Sequence, residues 1–183
     1  MPTTTFFNVV DSKRQKFIET ALAEFANNDY ESASISKIVL AAGIAKGSLY
    51  QYFHDKQDLY FYLVGLAAQK KRDFLEDLLV SDPSVSVFDH LHELFAAMLG
   101  FQREYPLMAK LGNRILDATS PFPNEFLEQA RAATQKQFSD LFTKGQLTNE
   151  IRADVNPEIA GFILSIFLPF GNKLFQNLSG SYL

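Results

Sequence analysis

Cysteine is absent from the 183 residues, which removes disulfides, thiolate metal sites and a cysteine nucleophile from consideration. Glycine and proline are sparse, at 9 and 7 residues, so fibrous and low-complexity classes are excluded. Long hydrophobic runs are missing too. The most apolar stretch, Phe162 to Phe170, spans about nine residues and includes Pro169, well short of the roughly 20 that a bilayer needs. The opening MPTTTFFNVVDSKR has no basic segment followed by an apolar one, so no signal peptide is expected. A cytoplasmic protein is the expectation from these absences, with no membrane partner. Strict two-residue alternation never persists, so strands are not expected.

What is present is helical periodicity on a chain long enough for a substantial core. A first helix is predicted over Ser12 to Asn27, with Phe17, Ile18, Ala21, Leu22 and Phe25 on one face. Ser34 is placed to cap a second, short helix carrying Ile35, Ile38, Val39 and Ala42, and Gly43 ends it. A third short helix covers Lys46 to Tyr52. Asp55 is expected to cap a long fourth helix reaching Leu79, with Leu59, Leu63 and Leu66 on its inner stripe. Asp82-Pro83 precedes a helix over Ser84 to Glu104 that uses Val87, Phe88, Leu91, Phe95 and Met98. Pro106 opens another, to Ala118. After a linker over Ser120 to Glu125, a long helix runs from Asn124 to Lys144, with Gly145 as its stop. Asn156-Pro157 starts the last helix, whose apolar positions include Ile159, Ala160, Ile163, Ile166 and Phe167. The fold class is therefore all-α: a three-helix N-terminal domain joined through a long fourth helix to a C-terminal helical bundle. The expected division is 1–60 and 61–183.

The net charge is −4, and acids and bases nearly cancel up to Phe61. Non-specific nucleic-acid binding through bulk charge is therefore not expected. Any nucleic-acid contact must come from placed residues, and Ser34 to Phe53 supplies such a placement. Two short amphipathic helices meet at Ala42-Gly43-Ile44, with small Ala41 and Ala42 permitting a close crossing. This is the pattern of a helix-turn-helix, whose second helix enters the major groove. That second helix offers Lys46, Gly47, Ser48, Tyr50, Gln51 and Tyr52, a hydrogen-bonding surface beside bare backbone. The Gly47 and Ser48 N–H groups can meet a phosphate, and the Ser48, Tyr50 and Tyr52 hydroxyls can donate. Gln51 can read adenine, while Lys46 suits a phosphate or a guanine. Lys56 lies in the first turn of the next helix, where the dipole also favours a phosphate.

The run Phe25, Ser34, Ile38, Ala42-Gly43-Ile44, Lys46-Gly47-Ser48-Leu49-Tyr50-Gln51-Tyr52-Phe53, Lys56 and Leu59 resembles the tetracycline-repressor (TetR) family over about the first third of the chain. The resemblance implies a transcriptional regulator, most simply a repressor, that binds double-stranded pseudo-palindromic operator DNA as a homodimer and is released by a small effector. It implies phosphate contacts from Gly47, Ser48, Tyr50, Tyr52 and Lys56, with Lys46 and Gln51 near bases. Ser34, at the cap of the first helix of the pair, completes the candidate DNA-binding set. The family often has Ser or Thr where this chain has Ala45, so the recognition helix is expected to lack a side-chain cap. The resemblance also assigns the C-terminal part to effector binding and dimerisation. The last two long helices, with Ala130, Ala133, Ala160 and Gly161 permitting close approach, are the expected dimer contact.

Phenylalanines are frequent after the DNA-binding segment, and an aromatic cavity there would suit an apolar or aromatic effector. Phe88, His92, Phe95, Met98, Met108, Asn113, Phe126 and Phe167 are its candidate lining; core packing is the alternative for each phenylalanine. A helical carrier or sensor of lipophilic molecules that never touches DNA would explain the phenylalanines, but not the segment from Lys46 to Lys56. Enzyme activity has no support. His90 and His92 point to different sides of a helix, and no Ser-His-acid set, Gly-rich phosphate loop or His-Glu-x-x-His motif occurs. No catalytic residue, metal ligand or cofactor is assigned. Lys70-Lys71-Arg72 reads as a solvated face. The N-terminal arm lacks the Arg or Lys used in a minor groove and is expected to be disordered or to pack through Phe6 and Phe7.

Overall fold

The computed structural model describes residues 1–79, 85–115 and 119–167, the side chains of 77–79 excepted. Every regular element among the described residues is helical. In chain order these are α1 (Thr4–Phe7), α2 (Asp11–Asn27), α3 (Ile35–Ala42), α4 (Lys46–Tyr52), α5 (Lys56–Leu79), α6 (Val87–Glu104), α7 (Pro106–Arg114) and α8 (Asn124–Leu147). A ninth helix, α9, covers 157–167. The all-α expectation holds.

Two compact units result, and neither is a continuous piece of chain. The first combines Met1–Phe74 with Phe101–Pro121; the second combines Leu75–Gly100 with the chain from Phe122 onward. In the first unit, Phe17, Ala21, Leu22 and Phe25 of α2, Ile38 and Val39 of α3, Leu49 of α4, and Leu59 and Leu63 of α5 are all buried, with α3 packed on both α2 and α4. Burying each large side chain contributes about 1.5–3 kcal/mol, which lets helices of seven and eight residues persist where isolated ones would not. α7 packs on α2, and Leu111 is fully buried. Two α7 cations close the carboxyl end of α2. Arg114 Nε donates to the Ala26 carbonyl at 2.8 Å, and Lys110 Nζ donates to Asn27 Oδ1 at 2.9 Å. That placement also suits the negative end of the helix dipole.

The second unit is built on Val87, Leu94, Phe138, Leu141 and Ile151, with Leu91, Met98, Phe142, Val155 and Leu164 packed against them. Several elements differ from the sequence reading. α6 begins at Val87, not Ser84, because Ser86 caps it: its Oγ accepts the Phe88 N–H at 3.2 Å, and its carbonyl accepts the His90 N–H at 2.9 Å. The predicted Asp82-Pro83 start lies outside the described residues, as does the predicted end of α7 at Ala118. α8 runs past Gly145 to Leu147. Gly145 is a buried helical residue, not a stop, and a Cβ there would meet Ile151 Cδ1 at 2.7 Å. Phe88, expected on the inner stripe of α6, is exposed, because Val87 and Leu94 occupy the inward positions. The N-terminal arm forms α1, with Phe6 buried and Phe7 exposed.

Candidate nucleic-acid interface

α3, the turn and α4 fold from local signals. Ser34 sits in extended conformation, and its Oγ accepts the Lys37 N–H at 3.3 Å, satisfying one of the orphan donors of α3. Its own N–H donates to Glu24 Oε1 at 2.8 Å, tying the start of α3 to α2. At the other end Gly43 takes φ 72°, and the Ile44 N–H donates to the Val39 carbonyl at 3.0 Å. This left-handed closure needs glycine. α4 then starts from Ala45 with no side-chain cap, as expected from that residue.

The seven residues of α4 divide into two faces. Leu49 is fully buried, and Phe53 beyond the helix is buried with it. On the opposite side Lys46, Gly47, Tyr50 and Gln51 are exposed, Tyr50 by 56%. These positions fall at i, i+1, i+4 and i+5, a single helical face. A Cβ at Gly47 would meet nothing within 4 Å, so the backbone there is open to a close approach. Lys46, Gly47, Tyr50 and Gln51 are therefore brought together as one accessible surface. Ser48 is half-buried at its margin.

The remaining candidates are placed differently. Tyr52 is half-buried, and its ring lies against Phe6 and Phe17 at centroid distances of 5.6 and 6.3 Å. Ser34 is committed to capping. Lys56 is half-buried, with Nζ donating to the Glu31 carbonyl at 3.0 Å and lying 4.8 Å from the Tyr30 ring centroid. Burial first, and the Asp55 and Glu31 carboxylates second, push the Tyr30 phenol up, so the ring facing this cation stays neutral. Asp55 does cap α5, accepting the Asp58 N–H at 2.7 Å, while Asp58 Oδ2 accepts the His54 N–H at 3.2 Å. Two features escaped the sequence reading. Leu40, on α3, is 82% exposed, and the Lys16 ammonium lies 4.0 Å from where a Gly43 Cβ would stand, placing a cation beside the turn.

The candidate effector residues are distributed over both units. Met108 and Asn113, both half-buried, belong to the first unit. In the second, Met98 packs against the core, whereas Phe88, His92, Phe95, Phe126 and Phe167 are exposed. Among the described residues no group of three or more His, Cys, Asp or Glu is placed to hold a metal, and no helix is long and apolar enough to cross a membrane.

Helices in this order, with a capped turn before a short polar helix, define a helix-turn-helix protein. The family model for bacterial regulatory proteins of the tetR family matches residues 17–63. A TetR family transcriptional regulator from Chloroflexus aurantiacus is 36% identical, with a TM-score of 0.84 over 96% of this chain and 81% of that one. The chain belongs to the TetR family of transcriptional regulators. The transcriptional regulator AcuR of Cereibacter sphaeroides is 27% identical over 79% of this chain and 67% of its own length. FadR from Bacillus subtilis, in complex with stearoyl-CoA, shares the fold at 18% identity, with a TM-score of 0.68 over 92% of this chain and 89% of that one.

Proposed function

We propose that this regulator is a repressor that binds a pseudo-palindromic operator as a homodimer, through the exposed face of α4, and leaves it when a small lipophilic effector binds. The observation that carries the DNA reading is the single surface of Lys46, Gly47, Tyr50 and Gln51 on a helix whose other side is buried. Gln51 is assigned to a base edge and Lys46 to a base or phosphate. Tyr50 and the Gly47 backbone are assigned to phosphates, with Ser48 and the more enclosed Tyr52 and Lys56 at the margin. Residues 1–60 then serve DNA binding, and 61–183 serve the effector and the partner subunit. Two half-sites about 34–36 Å apart, or a multiple of that, match a two-fold dimer. A cytoplasmic, non-catalytic role follows from this reading.

Dimerisation is supported by α9. Ile159, Phe162, Ile163, Ile166 and Phe167 are all exposed, at i, i+3, i+4, i+7 and i+8. An uncovered apolar stripe of this kind marks a protein contact. A lipophilic effector is supported by the aromatic content of α6 and α8 and by the stearoyl-CoA held by FadR from Bacillus subtilis. Such an effector acts only if it binds one spacing of the recognition helices better than the other. The test is binding to the protein's own upstream DNA over a salt series. Lys46→Ala and Tyr50→Ala, folded as judged by circular dichroism, should weaken binding about tenfold, and Lys46→Ala should reduce the salt slope by about 1. Tight operator binding indifferent to both substitutions would refute the assignment.

A further inference from the structure

α4 has no side-chain cap at its start and only seven residues, so little within the helix itself fixes its direction. Its end is held from elsewhere. The Thr3 hydroxyl donates to the Gln51 carbonyl at 2.6 Å, and the Thr3 N–H donates to the Tyr52 carbonyl at 2.9 Å. One residue thus satisfies two of the orphan carbonyls of the last turn, from 48 positions away. Thr3 precedes α1 as its N-cap, yet its side chain makes no capping bond to α1. Three residues on, Phe6 is 1% exposed, and its ring meets those of Phe17, Tyr52, Phe53 and Tyr62 at centroid distances of 6.0, 5.6, 5.0 and 5.5 Å. Those rings belong to α2, to α4 and the residue after it, and to α5. The arm therefore closes over the carboxyl end of α4 and presses it onto the two helices that support it.

We infer that Thr3 and Phe6 are positioning residues for DNA recognition: by clamping the last turn of α4 they set the angle at which Lys46, Tyr50 and Gln51 are presented, without touching DNA themselves. This rests on α4 being the recognition helix. The phosphate and base contacts are made by one face of a short rod, so a small rotation of the rod misplaces them together. The clamp adds two directional hydrogen bonds to the aromatic packing that seats this end of the rod.

Two measurements on the full chain separate failure of this inference from failure of the DNA reading. The first is amide hydrogen exchange in the absence of DNA. Thr3→Val keeps the side-chain size and the backbone N–H but loses the hydroxyl, and it should speed exchange over residues 50–53 about three- to tenfold while leaving α3 unchanged. The second is operator affinity, measured far below the melting temperature, where a purely structural loss would not register. Thr3→Val and Phe6→Leu should each weaken operator binding about three- to tenfold and narrow the preference for the operator over a single-base-pair variant. Thr3→Ser, which keeps the hydroxyl, should restore both readouts. Unchanged exchange in Thr3→Val overturns the clamp whatever the DNA result. Faster exchange with unaltered operator affinity overturns the positioning role. A wild-type protein that binds no operator, with exchange still accelerated in Thr3→Val, overturns the DNA reading and the role given to the clamp with it.

Discussion

Glu150 joins the start of α6 to the loop after α8: its Oε2 accepts the Val87 N–H at 2.7 Å, and its Oε1 accepts the Thr148 hydroxyl at 2.8 Å. The bond from Thr148 first, then those from the Val87 N–H and Ser86, hold the carboxyl below its ordinary value of 4.5. A carboxyl whose value is lowered by folding stabilises the native state above its unfolded value, and that stabilisation is lost as pH falls through the folded value. Glu150→Gln keeps the shape and removes the titration. The wild type should therefore melt higher than Glu150→Gln at neutral pH, and the gap should close progressively below about pH 4.5. Thermal melts across a pH series check this, and a gap that persists unchanged into acid would show that the charge of Glu150 does nothing here.

The elements differ in how far each is written in its own residues. α3, the turn and α4 were legible almost to the residue, because Ser34 and Gly43 act through bonds to neighbours three to five positions away. The face of α4 was legible for the same reason: with Leu49 inward, geometry sets the rest. α6 was not, since an amphipathic pattern identifies a stripe but not what will cover it. Val87 and Leu94 found partners in Phe138 and Ile151, and Phe88 did not. Packing of the arm through Phe6 was one of two alternatives in the sequence, but helix α1 itself was not legible, because Thr3 and Phe6 are held mostly by residues some 50 positions away. Gly145 misled as a stop signal, since it is needed for a close approach within the fold. Gly161 is a second such position. A Cβ there would clash with Ser139 Oγ and stand 2.6 Å from the Ser139 nitrogen and 2.9 Å from the Gln135 carbonyl, so α9 lies directly against the α8 backbone. Backbone cannot swing aside as a side-chain tip can. Gly161→Ala should accordingly cost about 1–3 kcal/mol by overpacking, measured by urea unfolding, although alanine is the better helix former. A stabilised variant would mean that the two helices are not seated this closely.

At the scale of the whole molecule, the proposed partner contact on α9 bears on the proposed DNA function through the number of recognition helices presented together. One subunit presents one recognition helix, and a single short helix offers few contacts. Two subunits fixed together make the second half-site encounter intramolecular, which multiplies affinity by roughly 10² to 10⁴ without any new contact to DNA. The exposed stripe of α9 has Ile163 at its middle, 46% exposed in the single chain. In the folded subunit a carboxylate there can keep its charge in solvent, because nearly half of the side chain is open, but an apolar seam would have to desolvate the charge. Ile163→Asp should therefore sediment as a monomer with its melting curve for secondary structure still cooperative, and it should lose at least about a hundredfold in operator affinity. Its affinity for a DNA fragment carrying one half-site should match that of the wild-type chain. A variant that stays dimeric would move the partner contact away from α9. A monomer that still binds the full operator tightly would mean that one α4 suffices, and the two-half-site arrangement would have to be abandoned.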